Sequence, residues 1–157
     1  DGSAQDLPVL EAMLLEAFYW DPQDLRPNLS EFQKNEEFQK LLAGWGDRAG
    51  DVAVVAEVTD LSIGAAWYRF WTPEIHSYGF VDSSIPELAI GVRSEYRSKG
   101  VGRVLLSSLI SAAESAQVPA LSLSVSPANF ALVLYESFGF QRVDESGTSL
   151  TLLLRLT

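Results

Sequence analysis

A carboxylate, a glycine-bearing turn and a helix start follow one another in residues 87 to 102, Glu-Leu-Ala-Ile-Gly-Val-Arg-Ser-Glu-Tyr-Arg-Ser-Lys-Gly-Val-Gly. The first part reads as a buried strand opened by Glu87, the rest as a turn running directly into an amphipathic helix. Val101, Leu105, Leu109 and Ala112 recur at helical spacing, while Arg103, Ser107 and Glu114 take the other faces. The helix N-terminus therefore falls at Gly100. A helix start presents N–H groups that have no partner within the helix, together with a partial positive charge, and glycine lets a ligand approach them closely. Such a turn can cradle a phosphate. Its side chains agree, because Arg93, Arg97, Lys99 and Arg103 surround a single acid, Glu95, in a chain whose formal charge is −10.

The kind of phosphate ligand can be narrowed. A P-loop ends in Gly-Lys-Ser/Thr, but Gly100 precedes Val101; a dinucleotide fingerprint needs a further glycine where Leu105 stands. What remains is Arg97-x-x-Gly100-x-Gly102 followed by Val104-Leu105-Leu106. A second segment follows: Leu121-Ser-Leu-Ser-Val125, then Ser126-Pro127-Ala128-Asn129, then a short helix from Phe130 through Tyr135 to Phe138-Gly139-Phe140. Pro127 disfavours continued strand pairing, and Gly139 stops the helix. These two segments, in this order, resemble the GNAT superfamily of acyl-CoA-dependent N-acetyltransferases.

The resemblance implies a fold and a cofactor site. The fold is α/β, with a single mixed, mostly antiparallel twisted sheet splayed at its centre and helices on both faces. The cosubstrate is acetyl-CoA, with no metal. Its pyrophosphate falls to the turn made by Arg97, Ser98, Lys99, Gly100, Val101 and Gly102, with main-chain N–H groups preferred over the Arg97 and Lys99 side chains, which alternatively only solubilise the turn. Ile90 and Val92 are implied as contacts of the pantetheine arm, which would lie as an added pseudo-strand. Asn129 matches a position that touches that arm or orients its loop; read from the residues alone, it caps the helix that follows.

Moving an acyl group from a thioester to an amine requires a neutral amine, a polarised carbonyl and a proton for the departing thiolate. Glu87 stands where many family members carry the base; the alternatives are a water chain in that role and a plain carboxylate at a strand end. Tyr135 resembles the general acid, since a phenol can protonate a forming thiolate, although Leu132 and Phe138 at helical spacing also suit a core aromatic. The N–H of Val92 is implied as the polarising group, and Gly91 within the strand reads as a bulge, a close backbone approach or simply a tolerated core residue. His76, the one histidine, reads as a surface loop residue and excludes a multi-histidine metal site. Trp20, Trp71 and Tyr78 read from the residues alone as core aromatics, but they also fall where the family builds its acceptor pocket. Asp21, Asp24, Glu31, Glu36 and Glu37 gather near that region, where they would favour a cationic acceptor or simply form a solvated helix face.

These residues need elements to hold them. A chain of 157 residues with 47% hydrophobic content is enough for one domain with a core, and residues 1–157 carry no linker or repeat. The pattern predicts a helix over 7–19 with Asp6 as N-cap and Pro8 in the first turn, then a helix over 30–42 opened by Ser30. Strands follow over 51–58 and 63–71 with a turn around 59–62, then a long loop over 72–86. Val143 and residues 148–156 supply the last strands, with Gly147 between them. The family opens with a strand before its first helix, whereas only Asp1 to Asp6 precede Leu7, which implies that an opening strand was cut away or lies outside these residues.

Composition limits the partners. The absence of cysteine excludes a disulfide, a thiolate metal site and an acyl-cysteine intermediate, so transfer is direct or uses another nucleophile. The acidic balance argues against nucleic acid, and no apolar run or signal segment argues for a membrane, so a cytoplasmic protein is expected. The expected function is transfer of an acetyl group to a small-molecule amine. The rivals are a non-catalytic acyl-CoA-binding or regulatory domain and an acetyltransferase of protein amines; a pocket closed by the 72–86 loop favours a small acceptor, an open groove a protein one. The strand over 148–156 either forms a homodimer edge or closes the sheet.

Overall fold

Thr59 and Asp60, with φ of 50° and 66°, turn the chain back on itself between β1 (Val52–Val58) and β2 (Leu61–Arg69). Two consecutive left-handed residues match the twist of paired strands, which is why so short a connection suffices. The computed structural model describes residues 6–19, 27–35, 40–46, 50–146 and 149–156. Its remaining strands are β3 (Glu87–Val92), β4 (Ala120–Val125), β5 (Gln141–Ser146) and β6 (Ser149–Arg155), and its helices are α1 (Leu7–Phe18), α2 (Leu29–Gln33), α3 (Val101–Ser115) and α4 (Ala131–Ser137). The strands form one mixed sheet in the order β1-β2-β3-β4-β6-β5. Chain contacts group into two compact units, Asp1–Trp67 with Ala89–Leu109, and Tyr68–Leu88 with Ile110–Thr157.

In the first unit, α1 buries Leu10, Met13, Leu14 and Leu15. Its backbone passes so close to β3 that a Cβ on Gly91 would collide with the Met13 carbonyl. Gly91 therefore marks a close backbone approach. The expected N-cap Asp6 does precede α1, but its side chain makes no capping hydrogen bond. The second helix departs further from expectation. It is capped by Asn28, not Ser30: Asn28 Oδ1 accepts from the Glu31 N–H at 2.8 Å, and Asn28 Nδ2 donates to Glu31 Oε1 at 2.8 Å. This reciprocal pair satisfies the helix start two residues earlier than the serine would. Phe32 of α2 is buried, with ring centroids 6.4 Å from Phe18 and 6.2 Å from Tyr19.

The second unit is built on β4. It pairs antiparallel with β6 from Ala120 opposite Arg155 to Val125 opposite Leu150, and β6 pairs antiparallel with β5, with a register shift between Arg142 and Asp144. On its other side β4 runs parallel to β3, with Ser122 opposite Glu87 and the Ser122 N–H donating to the Pro86 carbonyl at 3.0 Å. Leu121, Leu123 and Leu152 are fully covered. Helix α4 ends at Gly139 with φ of +99°, where the Gly139 N–H donates to Glu136 and the Phe140 N–H to Tyr135. Among the described residues no helix is long and apolar enough to cross a membrane.

Two glycines separate steric need from dihedral need. Gly91→Ala is expected to lower stability by about 1–3 kcal/mol, since helix and strand must move apart. Gly100→Ala, where φ is +85° and a Cβ meets nothing within 4 Å, is expected to cost only about 1 kcal/mol. Urea unfolding of the two variants tests the order.

Candidate active site

The turn between β3 and α3 takes its shape from two left-handed residues, Ser98 with φ of 62° and Gly100 with φ of 85°. They bring the chain round so that α3 opens at Val101, with the first main-chain N–H groups of the helix facing out of it. Nothing lies within 4 Å of where a Cβ on Gly100 would stand, so the residue just before the helix is uncrowded on that side. An anion placed there meets N–H donors and the positive end of the helix dipole.

Arg97 is turned inward. Its Nε donates to the Val92 carbonyl at 3.1 Å, and its Nη2 reaches both the Glu16 carbonyl at 3.2 Å and Glu16 Oε1 at 3.1 Å. The guanidinium thus ties the turn to the end of β3 and to α1. Beside it, the Arg93 N–H donates to the Ile63 carbonyl at 2.8 Å and its Nε to the Ser62 carbonyl at 2.7 Å, which anchors the other end of the turn to β2. Lys99 is exposed, with Nζ 5.7 Å from the centre of the Tyr96 ring. Ile90 and Val92 lie half-buried on β3.

Glu87 belongs to the second unit, where the loop over 70–86 folds across it. The Gly79 N–H donates to Glu87 Oε2 at 3.1 Å, while Oε1 is buried and accepts no hydrogen bond of ordinary geometry. Removal from water pushes the carboxyl up to about 7, against weaker opposing effects from the Gly79 N–H, the side chains of Ser77 and Trp71, and the charge of His76. A carboxyl in that range can take a proton near neutral pH and give it up again.

Trp71, expected in an acceptor pocket, is buried beside this carboxyl, and the Arg69 guanidinium lies 5.8 Å from its ring centre. Tyr78 instead stands on the surface, 59% exposed, and Trp20 lies outside the described residues, as do Asp21, Asp24, Glu36 and Glu37. Glu31 is engaged in capping α2. His76, read from the sequence as a loop residue, stacks on Phe80 with ring centroids 4.6 Å apart, and its Nδ1 meets the Ser77 carbonyl at 2.8 Å. Because a carbonyl only accepts, Nδ1 carries the hydrogen. The sequence held no signal for this group beyond the histidine itself.

Tyr135 on α4 is buried, its ring 5.8 Å from Phe140 at 64°. Burial pushes its hydroxyl up to about 12, so it remains protonated throughout the neutral range and has a hydrogen to donate there. Asn129 Oδ1 accepts from the Ala131 N–H at 2.9 Å and thereby caps the start of α4.

A model of the acetyltransferase (GNAT) domain family matches residues 49–142. No curated protein sequence matches the chain. Among solved structures, the chain is similar to the ribosomal-protein-alanine N-acetyltransferase of Brucella melitensis, at 25% identity over 97% of this chain and 95% of that one, with a TM-score of 0.67. It is also similar to PaiA N-acetyltransferase of Thermoplasma acidophilum, solved in complex with coenzyme A, at 16% identity over 98% and 94% with a TM-score of 0.69. YncA of Salmonella typhimurium, solved with its cofactor acetyl-CoA, matches at 21% identity over 98% and 90% with a TM-score of 0.65. At such identities the last two establish the fold.

The raised carboxyl of Glu87 has a consequence for stability. An unfolded chain ionises this group near 4.5, whereas the folded one resists until about 7. Folding is therefore unpenalised below about 4.5 and loses stability as the pH rises through that window, the penalty being complete above about 7. Glu87→Gln should leave the melting temperature unchanged at pH 4 and raise it progressively between pH 5 and 8. Thermal melts across that range would show it, and parallel curves for the two proteins would contradict it.

Proposed function

The chain belongs to the GNAT acetyltransferase family, and from that premise we propose that it moves an acetyl group from acetyl-CoA directly to the amine of a small-molecule acceptor. The observation that carries this reading is Glu87, a carboxylate drawn out of water at the head of β3 with one oxygen held by Gly79 and the other accepting no hydrogen bond of ordinary geometry. The turn from Arg97 to Gly102 holds the CoA pyrophosphate on its main-chain N–H groups, with Arg97 keeping the turn in place from inside. Ile90 and Val92 bind the pantetheine arm, and the Val92 N–H polarises the thioester carbonyl.

The amine nitrogen attacks the thioester carbon, and Glu87 takes the proton that the nitrogen sheds. As the tetrahedral adduct collapses, the C–S bond breaks and the sulfur leaves with a proton from the Tyr135 hydroxyl. Burial raises both groups, yet it leaves them suited to different roles: Glu87 sits near the working pH as a base, and Tyr135 stays protonated as the proton donor. A loop folded over the Glu87 carboxyl supports a small acceptor. The 25% identical Brucella protein, a ribosomal-protein-alanine N-acetyltransferase by name, favours a second reading in which the acceptor is the amino terminus of a protein.

Free-thiol release from acetyl-CoA, measured against polyamines, amino acids, aminoglycosides, arylamines and a peptide beginning with alanine, separates these readings. Glu87→Gln is expected to lower kcat by about 100-fold or more and to remove the rise of kcat/KM through about pH 7. Tyr135→Phe is expected to lower kcat at least about tenfold while CoA affinity changes less than about twofold. Tight CoA binding with no thiol release on any amine would overturn the catalytic reading.

A further inference from the structure

Ser77 to Phe80 form a tight turn that brings the Gly79 N–H onto Glu87 Oε2, with the Ser77 side chain close to the same carboxyl. The Ser77 carbonyl accepts from the Phe80 N–H at 3.4 Å and from His76 Nδ1 at 2.8 Å, and the His76 ring stacks on Phe80 at an interplanar angle of 20°. The stack brackets Gly79. A Cβ on Gly79 would stand 2.7 Å from the carbonyl carbon of Leu123, 2.8 Å from the Ser124 nitrogen and 2.8 Å from Glu87 Oε2. Its φ lies outside the left-handed range, so space, not dihedral freedom, demands glycine. Only a residue without a side chain can lie flat on β4 and still point its N–H at the carboxylate.

We propose that this turn is a positioning element for the transfer reaction: Gly79 fixes Glu87 through Oε2, so that Oε1 is the oxygen that takes the proton from the acceptor amine. The inference rests on Glu87 being the base and assigns the two oxygens different tasks. A carboxylate with both oxygens satisfied by the protein would be a poorer proton acceptor, and one with neither held would sample several rotamers. The hydrogen bond also favours the ionised form, so its loss must move the carboxyl upward. His76 supplies the charge acting on Glu87 from the same loop, while β4 faces it with the uncharged Ser122, Leu123 and Ser124.

The test compares Gly79→Ala and Phe80→Ala with the wild type by steady-state kinetics over pH and by titration of the Glu87 carboxyl carbon by NMR, assigned with Glu87→Gln. Gly79→Ala is expected to lower kcat about tenfold or more, to leave KM for acetyl-CoA within about twofold, and to move the Glu87 midpoint up by roughly half a pH unit or more. Phe80→Ala keeps the Gly79 backbone but removes the stack, and should move both quantities in the same direction by less. If Gly79→Ala does not fold, Phe80→Ala decides, and an unmoved midpoint in it overturns the proposal. An unmoved midpoint alongside an inactive Glu87→Gln would overturn the role of the turn alone. A Glu87→Gln protein with full turnover would overturn the base assignment and with it the catalytic meaning of the turn, even if the midpoint moved.

Discussion

Taking a carboxylate out of water is costly, and the arrangement around Glu87 answers that cost only in part. One oxygen receives a main-chain N–H, the indole and hydroxyl of Trp71 and Ser77 approach, and the second oxygen is left without an ordinary hydrogen bond. Fuller compensation would have lowered the proton affinity of the group; less would have raised it further. The partial compensation sets the carboxyl near 7, where it can take up and give back a proton at neutral pH. Much of the local backbone follows from this. The 70–86 loop must lie down on β4 to bring its N–H within reach, and it can do so only at a residue lacking a side chain.

The turn between β3 and α3 meets a different demand. Main-chain N–H groups can serve an anion only if the turn keeps its shape when the anion is gone, and a basic, like-charged segment has reason to spread. Arg97 answers by spending its guanidinium on Val92 and Glu16, while Arg93 holds β2. Two of the four basic side chains of the segment therefore work as internal ties. What is left for a ligand is the helix start itself, with Lys99 exposed beside it.

Much of this was legible in the residues. The helix at Val101, the stop at Gly139, the start of β3 at Glu87 and the cap at Asn129 follow from local rules, since each depends on neighbours within four or five residues in the chain. Errors came where two local solutions compete. Ser30 and Asn28 are both good caps, and Asn28 prevails because Glu31 stands three residues beyond it and returns the hydrogen bond. Gly91 within a strand left a bulge, a close approach and a plain core glycine all open, because what decides among them, the α1 backbone at Met13, lies nearly eighty positions earlier.

The sequence by itself determined the element order, the turn that can hold a phosphate, and the residue types able to give and take a proton, because spacing and side-chain chemistry are local properties. Tertiary structure alone decided where those groups stand and how tightly they hold a proton. It turned Arg97 inward, placed Tyr78 on the surface and Trp71 beside the carboxyl, and moved Glu87 and Tyr135 away from their ordinary proton affinities. Burial is the reason: the exclusion of water from a side chain depends on atoms brought from distant segments, and no window of sequence contains them.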